Sequence, residues 1–478
     1  MAKYQNNIGI GNGGFQEIWQ ITYPLILVNA NNGIMQFVDR KFLSMNSTLD
    51  VAAALPGGIL AFTLFVFFTV TTGFSSSIIS QYNGRRDNKA CARVPWASFY
   101  YALFAGMICS YLMPFVGNYI IDIGNHLPEI ASREKQYFNV MIVSGGFTCV
   151  MIAFSSFFSG RGKTLIVAII MFSVCILNCI LDYIFIFGKF GVYPLGITGA
   201  GFATTLSTLF GALLAFVIFI FQNQSKYPTR RGLICRFSDL KRLFVFGSPS
   251  GFQVFCDVGA FAFVIFAIGT LGKISLAATT ITFSINMIVW MPLIGMSEAT
   301  GIITANYIGY GRKDISVKQA YRILLIALSY IVITALVLII FSDYFFSFFS
   351  PKGEVGNFRE VMKYGRIMLI CIAVYNFFDA IYFISIGALR GAGDTKFPMY
   401  VVIFCAWGIL VPCVLLCVFV LKLSIVGIWI FIIVYIFISS TIIFFRFYSR
   451  GWDNIDLIGK ISLPVDSITN SNASEFSI

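Results

Sequence analysis

Five carboxylates stand inside stretches that are otherwise apolar, and they are the residues of this chain best placed to do chemistry. Asp39 closes a stretch that already carries Asn29, Asn31, Asn32 and Gln36; Asp182 lies one helical turn after Asn178; Asp257 lies one turn after Gln253; and Asp379 lies one turn after Tyr375. Glu298 sits within Gly295-Met296-Ser297-Glu298-Ala299. Residues four apart on a helix share a face, so Asp182, Asp257 and Asp379 are each offered with an amide or phenol beside them. Without water a carboxylate favours its protonated form, whereas a bound cation favours the anion. A proton, a metal ion and an organic cation would therefore compete for the same oxygens, and such competition is the chemistry of ion exchange.

The surrounding elements must be membrane helices. Apolar residues make up 58% of the 478 and charged residues only 11%, and the mean hydropathy is +0.84, more than a soluble domain of this size can hide in a core. Stretches of about 20 apolar residues, each able to cross roughly 30 Å of hydrocarbon, recur along the chain. Twelve are expected, near 15–42, 51–81, 94–121, 137–159, 164–187, 196–222, 241–271, 275–307, 318–342, 361–388, 396–421 and 424–446. A charge at mid-bilayer costs roughly 2.5–3.5 kcal/mol on insertion scales, which makes the embedded acids functional candidates by default.

The net charge of +12 does not call for a nucleic-acid partner. With the N-terminus placed in the cytoplasm, 22 of the 33 Lys and Arg fall on the inner side and 11 on the outer, the bias of the positive-inside rule. Both termini are then cytoplasmic, in a plasma membrane. The start of the chain lacks the pattern of a cleaved signal. The eleven cysteines show no metal or redox spacing, and the one histidine, His126, falls in an outer loop.

An internal repeat divides the chain. Ser80-Gln81-Tyr82-Asn83-Gly84-Arg85 resembles Ala305-Asn306-Tyr307-Ile308-Gly309-Tyr310, an offset of 225, and Pro24 matches Pro249 at the same offset. Arg161 and Arg390 close similar segments further on. The expected organisation is an N-terminal six-helix lobe over 1–222, a basic linker over 223–240, a C-terminal six-helix lobe over 241–448 and a polar cytoplasmic tail over 449–478. Six spans per repeat give both lobes the same orientation, related by an axis along the membrane normal.

The segment Leu389-Arg390-Gly391-Ala392-Gly393-Asp394-Thr395, with Gln81 to Gly84, Asn178 to Gly188 and Phe37-Val38-Asp39, resembles the multidrug and toxic compound extrusion (MATE) transporters of bacterial type. The resemblance runs through all twelve spans. It implies an all-α, V-shaped pair of lobes that exports cationic or amphipathic compounds in exchange for H+ or Na+, with no cofactor. It also implies two cation-binding groups, Asp39, Asn178, Asp182 and Thr204 in the N-lobe and Asp257, Tyr375 and Asp379 in the C-lobe, the second able to take Na+. Many relatives carry Glu where this chain has Asp257. Gln36, Gln253 and Glu298 are further candidates, and the C-lobe group is the one expected to dominate. The protein is read as a monomer whose partners are lipid and small substrates. A lipid-linked oligosaccharide flippase is the alternative, but its phosphate-bearing cargo would call for a basic cavity. An intramembrane enzyme is poorly served by a single loop histidine as general base.

Overall fold

The computed structural model describes residues 14–459 except 125, 234–235, 348–354 and 422–424. Its long helices are α1 Phe15–Asn46, α2 Leu49–Gly84, α3 Asn88–Ile123, α4 Pro128–Ser159, α5 Thr164–Phe187, α6 Gly196–Ile220, α7 Phe237–Gly269, α8 Lys273–Gly309, α9 Lys313–Ile340, α10 Val355–Ala392, α11 Lys396–Val420 and α12 Ile425–Tyr448. Eleven of them are long and apolar enough to cross a bilayer by length and composition. The other is α1, whose 32 residues would reach about 48 Å at 1.5 Å per residue but carry too many amides and charges to qualify alone. That polarity is the trace of its role, because α1 supplies residues to the polar contacts described below.

The helices form the two lobes expected from the repeat, each around its own core, in a V-shaped arrangement. In the N-lobe α1 packs on α5, α2 on α4 and α4 on α6; in the C-lobe α8 packs on α10 and α10 on α12. The lobes meet through α1 against α8 and α2 against α7, two copies of the same contact under the repeat. The starts of the first helices are exchanged. Ile18, Ile21 and Leu25 of α1 are buried in the C-lobe core, and Leu243, the repeat counterpart of Ile18, is buried in the N-lobe core. The packing of the two lobes thus does not follow a division of the chain at the linker.

The lobes close at the end that carries the basic loops. Gly84 and Gly309, partners under the repeat, touch each other, which puts them on the pseudo-twofold axis. A Cβ on Gly84 would stand 2.8 Å from the Gly309 Cα and would overlap the Asn306 carbonyl. Around them Gln81 Nε2 donates to the Gly391 carbonyl at 2.9 Å and Asn83 Nδ2 to Asn306 Oδ1 at 3.2 Å. The Tyr307 hydroxyl donates to the buried Glu17 carboxylate at 2.8 Å. Further along, Gly295 packs against Leu25 and Ile26, and Gly33 against Met291. Toward the opposite end Ile34 and Phe37 of α1 and Met287 and Ile288 of α8 are exposed.

The linker and the start of the tail are fastened to the helices. In the linker, Thr229 accepts from the Trp96 indole at 2.8 Å, and Tyr227 and Phe157 sandwich the Arg161 guanidinium at 4.1 and 3.9 Å. Helix α7 already starts at Phe237, where Asp239 pairs with Arg93 of α3. Residues 449–459 are not a free polar tail. Trp452 is buried against Phe447, and Leu457 and Ile458 enter the N-lobe core. Arg450 pairs with Asp314 at 3.0 Å in the C-lobe, and Arg85 of the N-lobe donates to the Gly459 carbonyl at 2.6 Å, so this segment straps both lobes together. The rest of the predicted tail, 460–478, and the first 13 residues lie outside the described residues.

An alanine at Gly84 has no room while the basic end is closed. Gly84→Ala should raise amide exchange around Gln81 and Asn306 by at least about tenfold, the equivalent of 1.4 kcal/mol, measured by mass spectrometry on the purified protein. Unchanged exchange would show that the glycine contact does not hold the lobes.

Candidate functional site

Helix α1 brings Asp39 to α5, and α5 carries Asn178 and Asp182 on one face because they are four residues apart. Asp39 is 8% exposed while its neighbour Arg40 is exposed, so the two do not form the surface pair that their adjacency allows. The Asp39 and Asp182 carboxyls are instead in direct contact with each other. Asp182 and Asn178 are fully buried, and Asn178 Nδ2 points to Thr204 Oγ1 of α6 at 3.4 Å. Thr204 in turn donates to the Ala200 carbonyl.

The polar atoms of this cluster are unevenly matched. Both oxygens of Asp182, Oδ1 of Asp39 and Oδ1 of Asn178 are buried with no hydrogen-bond donor. Leaving a buried acceptor unmatched costs about 1–3 kcal/mol, more for a charged group. Two carboxylates in contact without donors require a positive charge between them. Carboxylate, amide and hydroxyl oxygens are the donor set of a hard monovalent cation as well as of a shared proton. The buried Tyr137 of α4 stands beside both acids and is a neighbour that sequence reasoning missed.

In the C-lobe the acids are close together but differently served. Asp257 on α7 is half-buried and its Oδ1 accepts the Tyr435 hydroxyl of α12 at 2.9 Å. Asp379 on α10 is 1% exposed and its Oδ2 accepts the Trp290 indole N–H of α8. Tyr375 is buried beside both acids. Gln253 donates to the Tyr382 hydroxyl at 3.4 Å and accepts from Arg390 at 3.4 Å, which brings the arginine of the repeated motif near Asp257. Each C-lobe acid thus has a neutral donor, and Asp257 also has a guanidinium within its field. The donor set still fits a cation, but one oxygen of each acid is already engaged.

Two candidates stand apart. Gln36 is exposed and hydrogen-bonds neither group. Glu298 is exposed and is met by Asn29 of α1, across the lobe boundary, with Arg390 nearby. Among the described residues no group of three or more His, Cys, Asp or Glu could hold a metal ion. Tyr435 and Trp290 were missed because neither is an acid and both look like core aromatics in sequence. Glu17 was within reach, as an acid inside the first predicted span.

A family model, MatE, matches residues 24–184 and 249–416, one segment in each lobe. The chain belongs to the MatE family. It is therefore a transporter embedded in a membrane through many passes. Relatives include a probable multidrug resistance protein NorM from Thermotoga maritima, 26% identical over 92% of this chain and 93% of its own. Another, of the same name, comes from Pasteurella multocida and is 27% identical over 82% of this chain and 84% of its own. Among solved structures, an outward-facing multidrug resistance MATE family transporter of the MOP superfamily superposes with a TM-score of 0.82 at 18% identity, covering 93% of this chain and 97% of that one. A MOP superfamily transporter from Pyrococcus furiosus gives 0.78, also at 18% identity, over 92% and 97%. At that identity the structures speak for the fold.

Removing one of two facing acids should relieve the N-lobe. Asp182→Asn is expected to raise the melting temperature of the ion-free protein and to abolish its stabilisation by Na+ or by acid, whichever ion the wild type responds to. A plain loss of stability, with the ion response intact, would show that the pair is an ordinary core contact.

Proposed function

We propose that this transporter is a secondary multidrug efflux antiporter, exporting cationic or amphipathic compounds in exchange for H+ or Na+. The observation that carries the reading is the Asp39–Asp182 contact, four buried oxygens of one cluster without a donor. Such a cluster binds a cation from one side and must lose it before it can be refilled from the other. The names of the relatives support the cargo class. The N-lobe pair is the more strongly favoured ion site, a reversal of the order expected from sequence, because the C-lobe acids already have Tyr435 and Trp290 as donors.

The basic loops, including Arg85, Arg86, Arg230, Arg231 and Arg312, face the cytoplasm by the positive-inside rule, with both termini on that side of a bacterial plasma membrane. The closed basic end then makes this state outward-facing. A cation entering from outside reaches α1 and α5, and each charge moved inward gains about 2.3 kcal/mol per 100 mV of membrane potential. Rocking of the lobes about the Gly84–Gly309 contact would open the other side. The aromatic share of 17% offers ring surfaces for flat or cationic substrates without strict shape demands. The unit of transport is a monomer.

The test is efflux of an ethidium-like dye from proteoliposomes under a pH gradient and a Na+ gradient imposed separately. One gradient should drive transport in the wild type, and Asp182→Asn should lower that driven rate by at least about tenfold. Equal transport with no gradient, or full driven transport by Asp182→Asn, would refute the antiport reading.

A further inference from the structure

Helices α8 and α10 are joined by a row of polar contacts. Asn376 Nδ2 donates to Asn286 Oδ1 at 2.8 Å, the Trp290 indole N–H donates to Asp379 Oδ2, and Ser297 Oγ donates to the Phe383 carbonyl at 2.6 Å. Asn286 and Trp290 are one turn apart, as are Asp379 and Phe383, so the contacts follow one face of each helix. The Trp290 ring also stands edge-on to Phe383, with centroids 5.6 Å apart and planes at 86°. Trp290 is a donor only, and its one N–H is used on the acid.

The next two residues give this contact a reach beyond the C-lobe. Met291 presses on Gly33 of α1, the interlobe contact lying furthest along α1 from the basic end among those described above. Pro292 lies inside α8 and has no N–H for the Ile288 carbonyl, so the helix bends there more easily than elsewhere. Helix α1 carries Asp39 six residues beyond Gly33 and is tied to α5 by Asn31, which donates to the Met171 carbonyl at 3.0 Å. The repeat does not copy the arrangement. The positions 225 residues earlier are Phe65 and Phe67, with neither an indole donor nor a proline.

We propose that Trp290 is a positioning residue that passes the occupancy of Asp379 to the Met291–Gly33 contact, and so to the helix that carries Asp39. The inference rests on the reading of Asp379 as a cation-responsive group. A proton or Na+ arriving at Asp379 neutralises the carboxylate and so weakens the bond that Oδ2 accepts from the indole N–H. When the N–H is released, α8 is free to bend at Pro292, and Met291 shifts against α1. The two acid groups then communicate through a contiguous contact rather than by distance alone.

Trp290→Phe keeps a ring against Phe383 and removes the donor. In proteoliposomes, the H+ or Na+ concentration giving half-maximal dye efflux should move by at least about threefold, and Trp290→His, which restores a ring N–H, should bring it back toward the wild-type value. In the purified protein, titration with the coupling ion should change the fluorescence contributed by Trp290, taken as wild type minus Trp290→Phe. That change should vanish when Asp379→Asn is present in both proteins. Unmoved half-saturation and an ion-insensitive Trp290 signal, with Asp379→Asn still uncoupling transport, would overturn this inference alone. Normal coupling in Asp379→Asn would overturn the C-lobe assignment on which it stands.

Discussion

A carboxylate removed from water must be matched by a proton, a cation or hydrogen-bond donors, and the architecture follows from how each lobe meets that demand. In the C-lobe the match is mostly internal. Tyr435 and Trp290 each donate to an acid, and Arg390, held by Gln253, stands near Asp257. In the N-lobe, Asp39 faces Asp182, while Asn178 Nδ2 donates to Thr204 and Thr204 donates to the backbone. Among the described residues no hydrogen-bond donor reaches the Asp182 oxygens, and Arg40 beside Asp39 is exposed. The two lobes of the repeat thus differ, one with donors on its acids and one with unmatched carboxylate oxygens.

The helices can hold such groups because the contacts between lobes are made largely by backbone. Gly84 against Gly309, Gly295 against α1 and Gly251 against Phe67 and Thr71 bring main chains together with little side-chain volume to reorganise. Contacts of that kind, together with the single bonds of Gln81, Asn83 and Tyr307, can be made and broken as units. The strap over 449–459 adds a tie that spans both lobes at the same end. Closure at the basic end and separation at the other are therefore two consequences of one symmetric arrangement, with the axis through the paired glycines.

Much of this was legible in the residues themselves. Hydropathy and charge fixed the spans, and the offset of 225 linked Gly84 to Gly309 before any contact between them was known. The pairing of Asn178 with Asp182 on one face followed from spacing. The partner of Asp39 did not, because the contact lies between α1 and α5; only the resemblance grouped Asp39 with Asn178 and Asp182. Trp290 and Tyr435 were hidden among 80 aromatic residues, 52 Phe, 22 Tyr and 6 Trp, whose period reports packing and says nothing of where one N–H or O–H points. The tail from 449 reads as polar by composition, yet Trp452, Leu457 and Ile458 are enough to anchor it.

On the proposed function, the N-lobe acids hold one exchangeable positive charge, which substrate binding displaces. This is tested most directly by counting ions released when a saturating cationic dye is added to the purified protein, with a pH indicator in weak buffer for H+ and equilibrium dialysis for Na+. The wild type should release about one H+ or Na+ per dye bound, and Asp182→Asn almost none. Dye binding without release, or the same release from Asp182→Asn, would contradict it.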